Sequence, residues 1–186
     1  TYTYNKHQLP PGGGSSNYLY NSGGLTPLIF AARENAVEAG RVLIEAVASV
    51  NAGESDFQLT SMLIAITNAH YEFAALLARS GANLDDGALY TLAEIRNTPS
   101  ETKLPAPRTK GSLELMQLLL DWGADPHAAN RKRVLPREYG LPKAPTIATP
   151  LFRAARSVDL DAMRVLLDAG ADPNLGTPET DGDVPL

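Results

Sequence analysis

Cysteine is absent from the 186 residues, which excludes disulfides and thiolate metal sites. No apolar run reaches the roughly 18 residues that a membrane-spanning helix needs. Cationic side chains are in the minority, 16 Lys and Arg against 21 Asp and Glu, for a net charge of -5. That balance argues against a general affinity for nucleic acid. Gly12-Gly13-Gly14 follows no predicted strand and lacks a trailing Lys-Ser or Lys-Thr, so it is not a phosphate loop. Asp181 and Asp183 flank Gly182 without the other ligands of a calcium loop and read as part of a turn. Neither a cofactor nor a metal is implied, and no nucleophile, base and orienting acid recur together, so no enzymatic activity is expected. The chain begins at Thr1 and not at methionine, which reads as a processed chain or a fragment. A signal peptide lost upstream would leave no trace here, so cytoplasmic, periplasmic and exported locations all stay open.

What the sequence has instead is self-similarity. Four Leu-rich or Val-rich runs end alike: Val42 to Asn51, Leu76 to Asp85, Leu118 to His127 and Val165 to Asn174. Three of them close on Gly-Ala followed by Asp or Asn, at Gly81, Gly123 and Gly170. Val47, Gly81, Gly123 and Gly170 occupy one position, and the steps between them lengthen along the chain. The third and fourth units therefore carry insertions. Self-similarity of this kind implies stacked units, and such stacks present extended surfaces.

Each unit predicts two helices around a short turn. Thr26 suits a cap and Pro27 the first helical turn. Small alanines let this inner helix approach its neighbours. The second helix is expected to set Ala39, Val42 and Leu43 on one face, and Gly81, Gly123 and Gly170 suit left-handed helix ends. Residues 1–23, with Pro10-Pro11-Gly12-Gly13-Gly14-Ser15-Ser16 flanked by Tyr2, Tyr4, Tyr18 and Tyr20, read as a linker or as an extended arm packing on the first unit.

Thr26-Pro27-Leu28-Ile29-Phe30-Ala31-Ala32 and Thr149-Pro150-Leu151-Phe152-Arg153-Ala154-Ala155 resemble the Thr-Pro-Leu-His-x-Ala-Ala signature of the ankyrin-repeat family. Thr60 to Ile66 is a looser copy. The resemblance covers residues 24–186, about four repeats and the start of a fifth at Gly182 to Leu186. In its layout and insertions it is most like bacterial ankyrin-repeat proteins. It implies an all-α repeat solenoid of stacked helix pairs, joined by β-hairpin fingers, with binding on the fingers and the concave inner helices. Ile29, Leu63, Tyr90 and Phe152 stand where the family has histidine, so apolar packing must replace its hydrogen bonds. Val158 stands where the family has glycine, and a positive φ there would be strained. His70 matches the family's turn histidine and implies a structural hydrogen bond. His7 lies in the first segment and His127 at a finger base, so the three form no metal triad.

Two insertions are the least generic parts. Arg96 to Lys110 lies between the helices of the third repeat. Ala128 to Ile147 lengthens the next finger and concentrates positive charge at Arg131, Lys132, Arg133, Arg137 and Lys143 against one acid, Glu138. Trp122, the single tryptophan, is either covered by the proline-rich insertion or an exposed anchor of the kind that dominates interfaces. On the resemblance, Arg33, Glu34, Thr67, Asn68, Glu94, Arg156 and Ser157 face the concave surface. Together with Trp122 and the basic finger they are the candidate contacts for a protein partner. The expected function is a protein–protein interaction module. Two alternatives stay open: a regulatory or accessory segment stacked against flanking parts of the same chain, and a polyanion-binding adaptor using the basic finger.

Overall fold

The computed structural model describes residues 25–53, 59–97, 111–129 and 148–175. Eight α-helices occur among the described residues: α1 (Pro27–Arg33), α2 (Val37–Glu45), α3 (Ser61–Thr67), α4 (Tyr71–Arg79), α5 (Ala88–Asn97), α6 (Ser112–Asp121), α7 (Pro150–Arg156) and α8 (Leu160–Asp168). They pair as α1/α2, α3/α4, α5/α6 and α7/α8. The odd-numbered helices pack in succession as an inner row, and the even-numbered ones do the same as an outer row. No helix among the described residues is long and apolar enough to cross a membrane.

Local chemistry sets the inner-helix starts. Thr26, Thr60 and Thr149 each turn a hydroxyl onto an amide three residues on, at 3.2, 3.4 and 3.2 Å. These bonds satisfy amides that a helix start otherwise leaves unpaired. Pro27 and Pro150 fill the first turn. Ile29, Leu63 and Tyr90 are buried, so apolar packing does occupy those positions of the inner row. Ala32, Ala65, Ala93 and Ala154 are buried beside them.

The outer row departs from expectation in α2. Ala39 and Val42 are exposed, Leu43 is half-buried, and Gly40 is the buried residue of this helix. The reason lies in the next unit. A Cβ on Gly40 would stand 2.6 Å from Phe73 Cζ and 3.5 Å from Leu76 Cδ2. Leu76, which occupies Val42's position one repeat later, thus points back at the preceding pair. Val42 has no preceding pair among the described residues to cover it.

The loops after the outer helices are tied in series. Asn51 Oδ1 accepts from the Asn83 amide at 2.7 Å. Asp85 Oδ1 accepts from the Asp125 amide at 2.8 Å. His127 Nε2 accepts from the Asp172 amide at 2.9 Å. With Nε2 accepting, the His127 proton sits on Nδ1 and is donated to Asp125 Oδ1 at 3.1 Å. The same repeat position makes the link to the following repeat each time, although its chemistry changes from amide to carboxylate to imidazole. At the expected β-hairpin finger between the first two helix pairs, an antiparallel bridge joins Gly53 to Thr60.

Left-handed turns recur between helices. Asn35, Ala69 and Val158 follow the inner helices with φ of 53°, 59° and 57°. Gly81, Gly123 and Gly170 follow the outer helices with φ of 86°, 92° and 91°, and Val47 fills the same position at 64°. The strain anticipated at Val158 is present, and Val47 shares it. In the third repeat the matching position, Arg96, is not a left-handed turn. There α5 continues to Asn97, and Arg96, read from sequence as the start of an insertion, is part of the helix.

Candidate functional site

The candidate inner-face residues lie along successive helices of the inner row. Arg33 ends α1 and Glu34 caps it; Thr67 ends α3 and Asn68 caps it; Glu94 lies within α5; Arg156 ends α7 and Ser157 caps it. Their exposure differs. Glu34 and Arg156 are exposed, whereas Arg33, Thr67, Asn68, Glu94 and Ser157 are half-buried.

Several of these side chains are occupied by their own helix. Thr67 Oγ1 donates to the Leu63 carbonyl, and Asn68 Nδ2 donates to the Ile64 carbonyl at 2.9 Å. Such back-bonds to the carbonyl four residues earlier hold the side chain on its own helix, and the Ile64 carbonyl also accepts from the Asn68 amide. Arg33 pairs with Glu34 at 2.8 Å and lies over the Phe30 ring, 4.6 Å from its centroid. Phe30 is 43% exposed, so the first repeat presents an aromatic face with a cation laid on it.

A charged cluster joins the third and fourth repeats. Arg153 Nε stands 3.9 Å from Glu94 Oε1, too far for a direct hydrogen bond. Arg153 also donates to Ser157 Oγ. Arg156 follows one helical turn after Arg153. Burial pushes the Glu94 carboxyl above its ordinary value, and this outweighs the opposing pull of Arg153 and Arg156. Burial likewise raises the neighbouring Tyr90 phenol, the Glu94 charge adds to the effect, and the two arginines oppose it. Arg153 is absent from the sequence-derived candidates. Its spacing of three from Arg156 on a helix is the signal that would have found it.

Trp122 caps α6 and is 41% exposed, with the Arg79 guanidinium 5.5 Å from its ring centroid. It lies after an outer helix, apart from the inner row. Arg131, Lys132, Arg133 and Arg137 lie outside the described residues, as do Lys143, His7, residues 1–23, residues 176–186 and most of both insertions.

His70 Nδ1 stands 2.9 Å from the Ala32 carbonyl of the preceding repeat, the structural contact expected of it. Among the described residues no three His, Cys, Asp or Glu side chains are grouped to hold a metal ion.

The family model for the ankyrin repeat matches residues 148–178. Ankyrin repeat and KH domain-containing protein 1 of human is 43% identical over 63 residues, covering 33% of this chain and 2% of its own length. Ankyrin repeat and KH domain-containing protein mask-1 of Caenorhabditis elegans is 31% identical over 114 residues, 61% of this chain and 4% of its own. Ankyrin repeat domain-containing protein 17 of mouse is 43% identical over 63 residues, 33% of this chain and 2% of its own. The chain thus spans 2 to 4% of the length of these relatives. All three come from animals, so they lend no support to the expected likeness to bacterial members. The family match, the relatives and the four stacked helix pairs support an ankyrin-repeat assignment for the chain.

Proposed function

We propose that this chain is a protein-interaction module, with residues 24–186 as the repeat domain and residues 1–23 as a linker or arm. Ankyrin repeats generally mediate protein–protein interaction. The observation that carries the reading is the layout of the inner row. Four successive helices bring Arg33 and Glu34, Thr67 and Asn68, Glu94, and Arg156 and Ser157 to one row of the stack. A partner would lie across this row and reach the fingers, including the basic segment at Arg131, Lys132, Arg133 and Arg137. Trp122 offers a separate aromatic contact. Complementary charge there would mainly speed association and add salt dependence.

The test is affinity capture with the intact chain, read by mass spectrometry, against two altered chains. One carries Arg33→Ser, Glu34→Ser and Arg156→Ser; the other carries Arg131→Ser, Lys132→Ser and Arg133→Ser. A partner retained by the wild type and lost from either altered chain, with melting unchanged, supports the reading. A partner held equally by all three sinks it.

A second reading, a segment accessory to a larger chain, is favoured by the small share of each relative that this chain spans. A titration in which separately expressed flanking segments bind the stack through the inner row would establish it.

A further inference from the structure

The cluster between α5 and α7 is unbalanced. It contains two guanidiniums, Arg153 and Arg156, against one carboxylate, Glu94, with Tyr90 as the neighbouring phenol. The facing residues of α3, Ser61–Thr67, include no charged group. Arg153 is engaged loosely: its Nε is 3.9 Å from Glu94 Oε1, and its hydrogen bond to Ser157 uses one terminal nitrogen. Arg156 is exposed and makes no ion pair among the described residues. Donors of the exposed Arg156 are therefore open to a further acceptor, beside Arg153 and Glu94 side chains that are 15% and 21% exposed.

We propose that Arg153 and Arg156 form a receptor for a carboxylate of an acidic protein segment, with Glu94 as the internal counter-charge against which the incoming carboxylate competes. The proposal rests on the reading of the inner row as a binding surface and adds the chemistry of what that row takes. Guanidinium forks match planar carboxylates in two-point geometry. Two cations facing Glu94 and one visiting carboxylate would be balanced, whereas a phosphate dianion would leave the cluster net negative.

The experiment uses the full chain and a fluorescein-labelled hexaglutamate peptide, followed by anisotropy at low salt. Arg156→Gln is expected to weaken binding by about fivefold, the scale of one partly exposed charge pair, with Arg156→Lys recovering part of the loss. Glu94→Gln is expected to tighten binding, because it removes the competitor. Glu114→Gln, an exposed acid on α6, makes the same change in net charge and is expected to leave binding unchanged. No binding by the wild type, or unchanged binding in Arg156→Gln, overturns the proposal. So does loss in the Arg131→Ser, Lys132→Ser, Arg133→Ser chain with Arg156→Gln unaffected. Competition by inorganic phosphate where acetate has no effect also overturns it and indicates a phosphate receptor instead. Failure of hexaglutamate, with a captured protein still lost on inner-row substitution, removes the carboxylate chemistry alone. Hexaglutamate binding with every captured protein retained removes the interaction reading of the whole row.

Discussion

Asp159 closes on Arg96 in a two-point pair between the third and fourth repeats, Oδ2 to Nε at 2.8 Å and Oδ1 to Nη2 at 3.1 Å. Both side chains are 7% exposed. Arg96 Nη1 also donates to Ser112 Oγ at 2.7 Å, and Asp159 Oδ1 caps α8 through the Ala162 amide. One buried ion pair thus fixes α5, α6 and α8 relative to one another. His70 holds the equivalent position in the second repeat and reaches the Ala32 carbonyl, so one site performs the inter-repeat tie with two different chemistries.

Breaking the pair takes the facing carboxylate charge from a buried guanidinium. Asp159→Asn retains a good helix cap but removes the charge, and is expected to cost about 3 kcal/mol. The double change Arg96→Met with Asp159→Leu is expected to recover most of that, because apolar replacement of a whole buried pair is often neutral or better. Urea midpoints of the three chains check this. A loss under about 1 kcal/mol in Asp159→Asn would mark the pair as no stronger than a surface contact.

Val47 and Val158 carry φ of 64° and 57° and are 90% and 75% exposed, so they are strained without burying their side chains. Val47→Gly and Val158→Gly are each expected to stabilise by about 1 kcal/mol, less strain than a left-handed residue stores because glycine also frees the unfolded chain. The two sites lie in the first and fourth repeats, so the gains should add. Thermal melting of the single and double variants measures this, and a glycine that lowers the midpoint contradicts it.

How far the sequence discloses the molecule depends on the range of each interaction. Caps are local, so Thr26 and Pro27 are readable directly, and the Gly81, Gly123 and Gly170 turns follow from one residue each. Val158 is readable because its neighbours set the turn. The Arg96–Asp159 pair spans 63 residues, and the insertion between the helices of the third repeat conceals that Arg96 is helical. The exposure of Val42 is a property of the adjoining unit, not of its own helix, and no helical periodicity within α2 can show it. At the candidate surface, Arg156 and Glu94 are legible from the repeat, but their electrostatic coupling, like that of Arg153 with Glu94, needs α5 and α7 side by side.

His127 links the last two described loops through Nε2, which accepts from the Asp172 amide at 2.9 Å. Asn51 does the same with Oδ1 in the first repeat. His127→Asn is therefore expected to keep the link, and His127→Ala to lose about 1 kcal/mol, the net worth of one hydrogen bond. Hydrogen exchange at the Asp172 amide gives the direct readout: faster in His127→Ala, near wild type in His127→Asn. Equal protection in all three would show that the link contributes nothing.

Glu94 gives the fold a pH dependence of definite sign. Its carboxyl is raised above 4.5 chiefly by burial, with Arg153 and then Arg156 opposing. The folded chain therefore holds this proton more tightly than the unfolded chain does. Between the ordinary value near 4.5 and the higher folded value, the folded state carries the extra proton, and stability falls as pH rises through that window. The favourable contribution is complete below the window and gone above it. Glu94→Gln stays neutral throughout, so the stability difference between it and the wild type should shift in favour of the variant as pH rises and then level off. Urea midpoints for both chains across that range test this. A difference that stays flat, or that shifts toward the wild type, would mean that the pull of Arg153 and Arg156 exceeds the burial of the carboxylate. The counter-charge role assigned to Glu94 would then need a fully paired carboxylate in place of a partly desolvated one.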